Sequence, residues 1–107
     1  MDRYSIKWSL DVAPDIENIC NQVLDVSKSS ASSEKAKRKI LDSIATLEYA
    51  PQRGGVVGRD KYGGTVRRLS TCKPYTILFT VYDNDKIVRI NRVLYARRNI
   101  TMHDIKD

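Results

Sequence analysis

Apolar and polar residues alternate from Tyr4 to Ser9, with Tyr4, Ile6 and Trp8 set against Ser5, Lys7 and Ser9. That period of two predicts a half-buried first strand. From Asp11 the period lengthens, and Val12, Ile16, Ile19, Cys20, Val23 and Leu24 fall on one face of a helix running to about Val26. Pro14 fits only in the first turn, where its missing N–H costs nothing, and Asp11, Asp15 and Glu17 put negative charge near the positive end of the helix dipole. Ser27 to Ser33 reads as a short polar linker ending in an N-cap, with Glu34 behind it. Ala36, Ile40, Leu41, Ile44 and Leu47 then resume helical spacing, while Lys35, Lys37, Arg38, Lys39 and Asp42 form its solvated side. Two amphipathic helices joined by so few residues predict an antiparallel hairpin.

Pro51 ends the second helix, and five glycines between Gly54 and Gly64 read as a flexible connection. They form no G-x-x-x-x-G-K-[ST] pattern, so nothing marks a phosphate cradle. Three strands are predicted after it: Thr65 to Ser70; Tyr75 to Tyr82, where Tyr75, Ile77, Phe79 and Val81 alternate with Thr76, Leu78, Thr80 and Tyr82; and Ile87 to Leu94. Asp83-Asn84-Asp85 has the composition of a tight turn between the last two. The pattern predicts an α+β fold in one domain, residues 1–107. An N-terminal strand and an antiparallel helical hairpin precede a three-stranded antiparallel meander, and the helices cover one face of the sheet. The other face is left for the arginines.

Charge sharpens that assignment. Of the net +6, residues 1–58 contribute nothing, with eight basic and eight acidic residues. Residues 59–98 hold ten basic residues against three acidic, so the positive excess sits on the meander and points to a polyanionic partner. Two cysteines and one histidine fill no tetrahedral zinc site, and two cysteines make no disulfide scaffold. Free thiols, no metal and no cofactor are expected, with Cys20 on an apolar helix face and Cys72 in a polar turn beside Lys73. No apolar run is long enough to span a bilayer, and Met1-Asp2-Arg3-Tyr4 is unlike a secretory signal, so a cytoplasmic protein is expected.

Several stretches together resemble the RelE/ParE superfamily of toxins from type II toxin–antitoxin modules. They are the opening Y-x-I-x-W-S strand, D-I-x-x-I at Asp15 to Ile19, the Leu47-to-Pro51 helix end, V-R-R-L at Val66 to Leu69, Y-T-I-L-F-T-V at Tyr75 to Val81, and I-x-R-V-L-Y-A-R-R-N at Ile90 to Asn99. The resemblance covers nearly the whole chain. It implies a growth-arresting toxin that a cognate antitoxin neutralises in a hetero-oligomeric complex. RelE-like members cleave messenger RNA on the ribosome, whereas ParE-like members block DNA gyrase without nuclease chemistry.

For a metal-independent, ribosome-dependent endoribonuclease, the resemblance puts Arg68 and Arg97 on the phosphate and His103 or Tyr95 on proton transfer. An arginine fork pairs with phosphate oxygens and stays charged at any working pH. Each residue also has a plainer reading: Arg68 as an antitoxin contact, Arg97 and Arg98 as solvated strand-exit residues, His103 as surface decoration, and Tyr95 as sheet-edge packing. Arg67, Arg68, Lys73, Arg89, Arg92, Arg97 and Arg98 make up the expected nucleic-acid or target-binding surface. Thr76 departs from the nuclease pattern, because RelE-like nucleases commonly carry an arginine directly after the strand-opening tyrosine. That departure favours the gyrase-inhibitor expectation over mRNA cleavage. A nucleic-acid- or antitoxin-binding module without toxicity is the third.

Overall fold

A computed structural model describes residues 3–70 and 73–95. In chain order it contains β1 (Ser5–Trp8), α1 (Val12–Ser27), α2 (Ser30–Thr46), β2 (Gly55–Arg59), β3 (Thr65–Leu69), β4 (Tyr75–Tyr82) and β5 (Ile87–Tyr95). The strands form one five-stranded sheet in the order β1-β5-β4-β3-β2. The α+β class, the leading strand, the helical hairpin and the meander are as the periodicity predicts.

Three details differ, each for a local reason. The glycine-rich segment is not a loose connection, because Gly55–Arg59 pairs antiparallel with β3 as an edge strand. Gly54 makes this possible: its φ is +80°, and a Cβ there would stand 2.0 Å from the Arg68 carbonyl oxygen. Second, the linker from Ser27 to Ser33 shrinks to Lys28 and Ser29. Lys28 turns into the left-handed region and donates its N–H to Leu24, while the Ser29 side chain caps α2 by accepting the Ser32 N–H at 3.2 Å. Third, the sheet is mixed, since β1 runs parallel to β5 with Ser5 opposite Ile87 and Trp8 opposite Ile90.

The main core lies between the helices and one sheet face. Val12, Ile16 and Ile19 of α1 and Ala36, Ile40 and Ile44 of α2 pack with Tyr75, Ile77, Phe79 and Val81 of β4. Cys20 is half-buried at the rim of that core. A bulge in β5 serves the same packing. Ile90 pairs with Phe79 and Arg92 with Leu78, leaving Asn91 as the inserted residue. Strict alternation would send Ile90 and Val93 to opposite faces, and the extra residue returns both to the helix side.

Candidate functional site

The face of the sheet away from the helices carries Lys7 of β1, Arg89 of β5, Thr76, Leu78, Thr80 and Tyr82 of β4, and Arg68 of β3. The register aligns Lys7 with Arg89, Arg89 with Thr80, and Leu78 with Arg68. A small apolar cluster of Val66, Leu78 and Leu94, with Val57 against it, lies within this face. Val57 reaches it because the β2–β3 register shifts at that residue.

Around that cluster the face is polar but closed. Thr76, Thr80 and Asn91 are only 3%, 2% and 2% exposed. The Asn91 amide donates to Thr80 Oγ1 at 2.8 Å, its carbonyl oxygen accepts from Arg89 Nη1 at 3.1 Å, and its backbone carbonyl accepts the Ser9 hydroxyl at 2.8 Å. The Tyr82 hydroxyl donates to Asp60, which also accepts the N–H groups of Tyr62 and Gly64. Burial pulls the Asp60 carboxyl upward, but the Tyr82 bond, the two backbone bonds and the nearby Arg89 charge together hold it below its ordinary value. Thr80, Asn91 and Asp60 therefore each have a partner within the face.

The basic residues expected to form one surface separate. Arg68 is exposed on the open face, its stem passing over β2 so that a Cβ on Gly55 would lie 3.7 Å from its Nε. Arg89 shares that face, tied to Asn91. Arg67, one residue before Arg68, points to the other side and donates from Nη1 to the carbonyls of Gln52 at 3.1 Å and Gly54 at 3.2 Å. There it braces the entry to β2. Arg92 forms a fork on Asp15 of α1, with Nε to Oδ2 at 2.8 Å and Nη2 to Oδ1 at 2.9 Å; the Val93 N–H donates to the same carboxylate. Its charge is spent on docking α1 to β5. Lys73 is exposed, and its carbonyl accepts a bond from Lys39 of α2. Tyr95 ends β5 in register with Tyr75. Arg97, Arg98, His103 and Cys72 lie outside the described residues.

Asp60, Tyr82 and Asn91 escaped the sequence reading. Asp60 before Lys61-Tyr62-Gly63-Gly64 has the composition of an Asx turn, which was the available signal; Asn91 gave none, because a bulge cannot be seen in alternation. Among the described residues, no group of three or more His, Cys, Asp or Glu comes together to hold a metal ion, and no helix is long and apolar enough to cross a membrane.

The family model for the ParE toxin of the type II toxin–antitoxin system parDE matches residues 6–100. Among solved structures, the chain is similar to the chromosomal ParDE system from P. aeruginosa, at TM-score 0.69 and 23% identity, covering 87% of this chain and 96% of that one. It is also similar to the archaeal RelE–RelB complex from Pyrococcus horikoshii, at TM-score 0.62 and 18% identity, covering 91% and 99%. A toxin–antitoxin complex from Mycobacterium tuberculosis follows at TM-score 0.54 and 17% identity, covering 87% and 98%. No curated protein sequence matches. At these identities the structural likenesses speak to the fold.

Proposed function

Because the chain belongs to the ParE toxin family of type II toxin–antitoxin systems, we propose that it arrests growth by binding DNA gyrase without cleaving nucleic acid, and that a cognate antitoxin neutralises it. The observation that carries this reading is Thr76. Where the RelE-like pattern has an arginine, this chain has a neutral hydroxyl that is 3% exposed. A phosphorane gathering charge needs a cationic donor aimed at its oxygens from an accessible surface. Thr76 supplies neither the charge nor the access, and its neighbours Thr80 and Asn91 are bonded to each other rather than presented to a ligand.

Binding asks less of the face than catalysis does. Arg68 stands exposed in register with Leu78 of the small apolar cluster, against which the half-buried Val57 packs, and charge next to apolar surface suits a protein target with an acidic patch. Two of the solved structures similar to this chain are toxin–antitoxin complexes, which supports a protein antitoxin as the natural partner. A cytoplasmic location is proposed on the same grounds.

Exposed Arg68 on a basic sheet face also favours a second reading, cleavage of ribosome-bound messenger RNA. There the 2′-hydroxyl attacks the adjacent phosphorus, and the bond to the 5′-oxygen breaks. Arg68 and Arg97 would neutralise the phosphorane, and His103 or Tyr95 would move the protons.

Induced expression followed by two assays on purified components separates these readings. Inhibition of gyrase supercoiling with intact ribosome-bound message is the expected result. Codon-positioned cuts that disappear in Arg97→Ala would replace the gyrase reading with the nuclease. Unimpaired growth would leave a binding module without toxicity.

A further inference from the structure

The sheet has two outer edges, and they meet solvent differently. β1 is short and carries Lys7, and a charge on an edge strand discourages another strand from pairing with it. β2, at the opposite end, reads Gly-Val-Val-Gly before Arg59 and has no charge in its interior. Val56 is 61% exposed there, in register with Arg67 on the helix side. Among the described residues no strand pairs with the outer edge of β2, so a row of backbone N–H and C=O groups faces outward.

This edge is held extended from behind. Arg67 Nη1 grips the carbonyls of Gln52 and Gly54, and Gly54 sits against the Arg68 backbone where no Cβ would fit. A strand fixed before its partner arrives loses less freedom on binding. Charge then selects the partner. Arg68 lies opposite Gly55, which has no side chain to stop the guanidinium stem from crossing β2 toward its outer edge. Arg59 is exposed at the end of the strand. The acid that follows, Asp60, is turned inward to the Tyr62 and Gly64 N–H groups and the Tyr82 hydroxyl. A second copy of this chain paired antiparallel about Val56 would set Arg53 against the other copy's Arg59, and like charges opposite one another oppose that pairing.

We propose that β2 is a docking edge for an extended acidic segment of a partner protein, which joins the five-stranded sheet as a further strand. Its main chain pairs with the outward N–H and C=O groups of β2. An acidic residue opposite Gly55 meets Arg68, and an apolar residue opposite Val56 covers that side chain on the other face. Acidic and apolar residues in alternation match the period of two that a strand imposes. A helix satisfies its own backbone and leaves this edge unpaired. The inference rests on the reading that the partner is a protein, and it adds that partner's conformation and charge pattern.

Fluorescence anisotropy of the purified full chain with a short labelled peptide that alternates Glu and Val tests it. Two controls are the same peptide with proline at alternate positions, which keeps charge but cannot donate along the edge, and one that alternates Lys and Val. The Glu-Val peptide is expected to bind, and the proline version about tenfold more weakly or not at all. Arg68→Gln should weaken binding about tenfold and flatten its salt dependence, and Val56→Asp should abolish it. Thermal melts of both variants should match wild type, because both side chains are exposed. On binding, amide exchange should slow in β2 and stay unchanged in β1. The proposal is overturned by an absence of binding at low salt, by equal binding of the proline or lysine peptide, or by slowed exchange in β1 instead of β2. Self-association of the chain through β2 that excludes the peptide would also overturn it. Supercoiling is read separately with the unmodified chain, so each of these failures is distinguishable from failure of the gyrase reading.

Discussion

On the helix side of β4, Tyr75, Ile77, Phe79 and Val81 are buried by the side chains of α1 and α2; on the open side, Thr76, Thr80 and Tyr82 surround a single Leu78. Both sides of this strand exclude water, yet by different means. The first does so by volume, where energy scales with apolar area and any loss leaves a cavity. The second does so by mutual satisfaction, in which Asn91 bonds Thr80 and Asp60 bonds Tyr82. The helix side therefore specifies the fold, and the open side fixes which charges remain available to a partner.

That contrast can be broken at graded cost. Phe79→Ala, at a fully buried position in the helix-side core, should cost about 3–5 kcal/mol in denaturant unfolding and leave little folded protein. Asp15→Ala should cost about 3 kcal/mol, because it removes the two-pronged ion pair with Arg92 and the acceptor of the buried Val93 N–H together. Replacing Asp15 and Arg92 jointly by leucine should recover part of that loss. If the double variant is no better than the single one, loss of the Asp15–Arg92 ion pair is not the cause.

Tyr82→Phe tests the open side and should cost about 1 kcal/mol at neutral pH. It also carries a pH signature. The Asp60 carboxyl is held below its ordinary value of about 4, so its contribution to stability is complete above that value and is lost as pH falls through the lower folded one. Removing the Tyr82 hydroxyl should make the stability profile less steep in acid; an unchanged profile would remove Tyr82 as a cause of the shift. Arg68→Ala should have the smallest effect, within about 0.5 kcal/mol, while reducing growth arrest. Full toxicity in a folded Arg68→Ala protein would remove that residue from the target-binding face.

The sequence exposed the helix side almost completely, because bulk and periodicity are written locally: Val12 to Leu24, Ala36 to Leu47 and the alternation of β4 each predict their own element. The open side was legible only in part. Arg68 and Arg89 were expected on it and lie there, but Arg67 is turned away by the alternation of β3. Arg92 is captured by a carboxylate 77 positions earlier in the chain, a pairing that only the folded chain creates. β2 was hidden because Gly54, Gly55 and Gly58 look like a loop until the close approach of the Arg68 backbone explains Gly54. Asn91 was hidden because a bulge shifts the phase of its strand and leaves no mark in composition.

The parallel pairing of β1 with β5 has a consequence for synthesis. Most of the chain lies between Ser5 and Ile87, so the first strand to emerge waits for the last before it has a neighbour in the sheet. Such a distant closure is slow to form and is completed late. A nascent toxin interrupted before β5 would have β4 bare along one edge, β1 unpaired and α1 without its Asp15 anchor. A premature stop anywhere upstream of β5 should then abolish the folded protein along with any surface it presents, so the toxin matures as a unit only after nearly all of it has been translated.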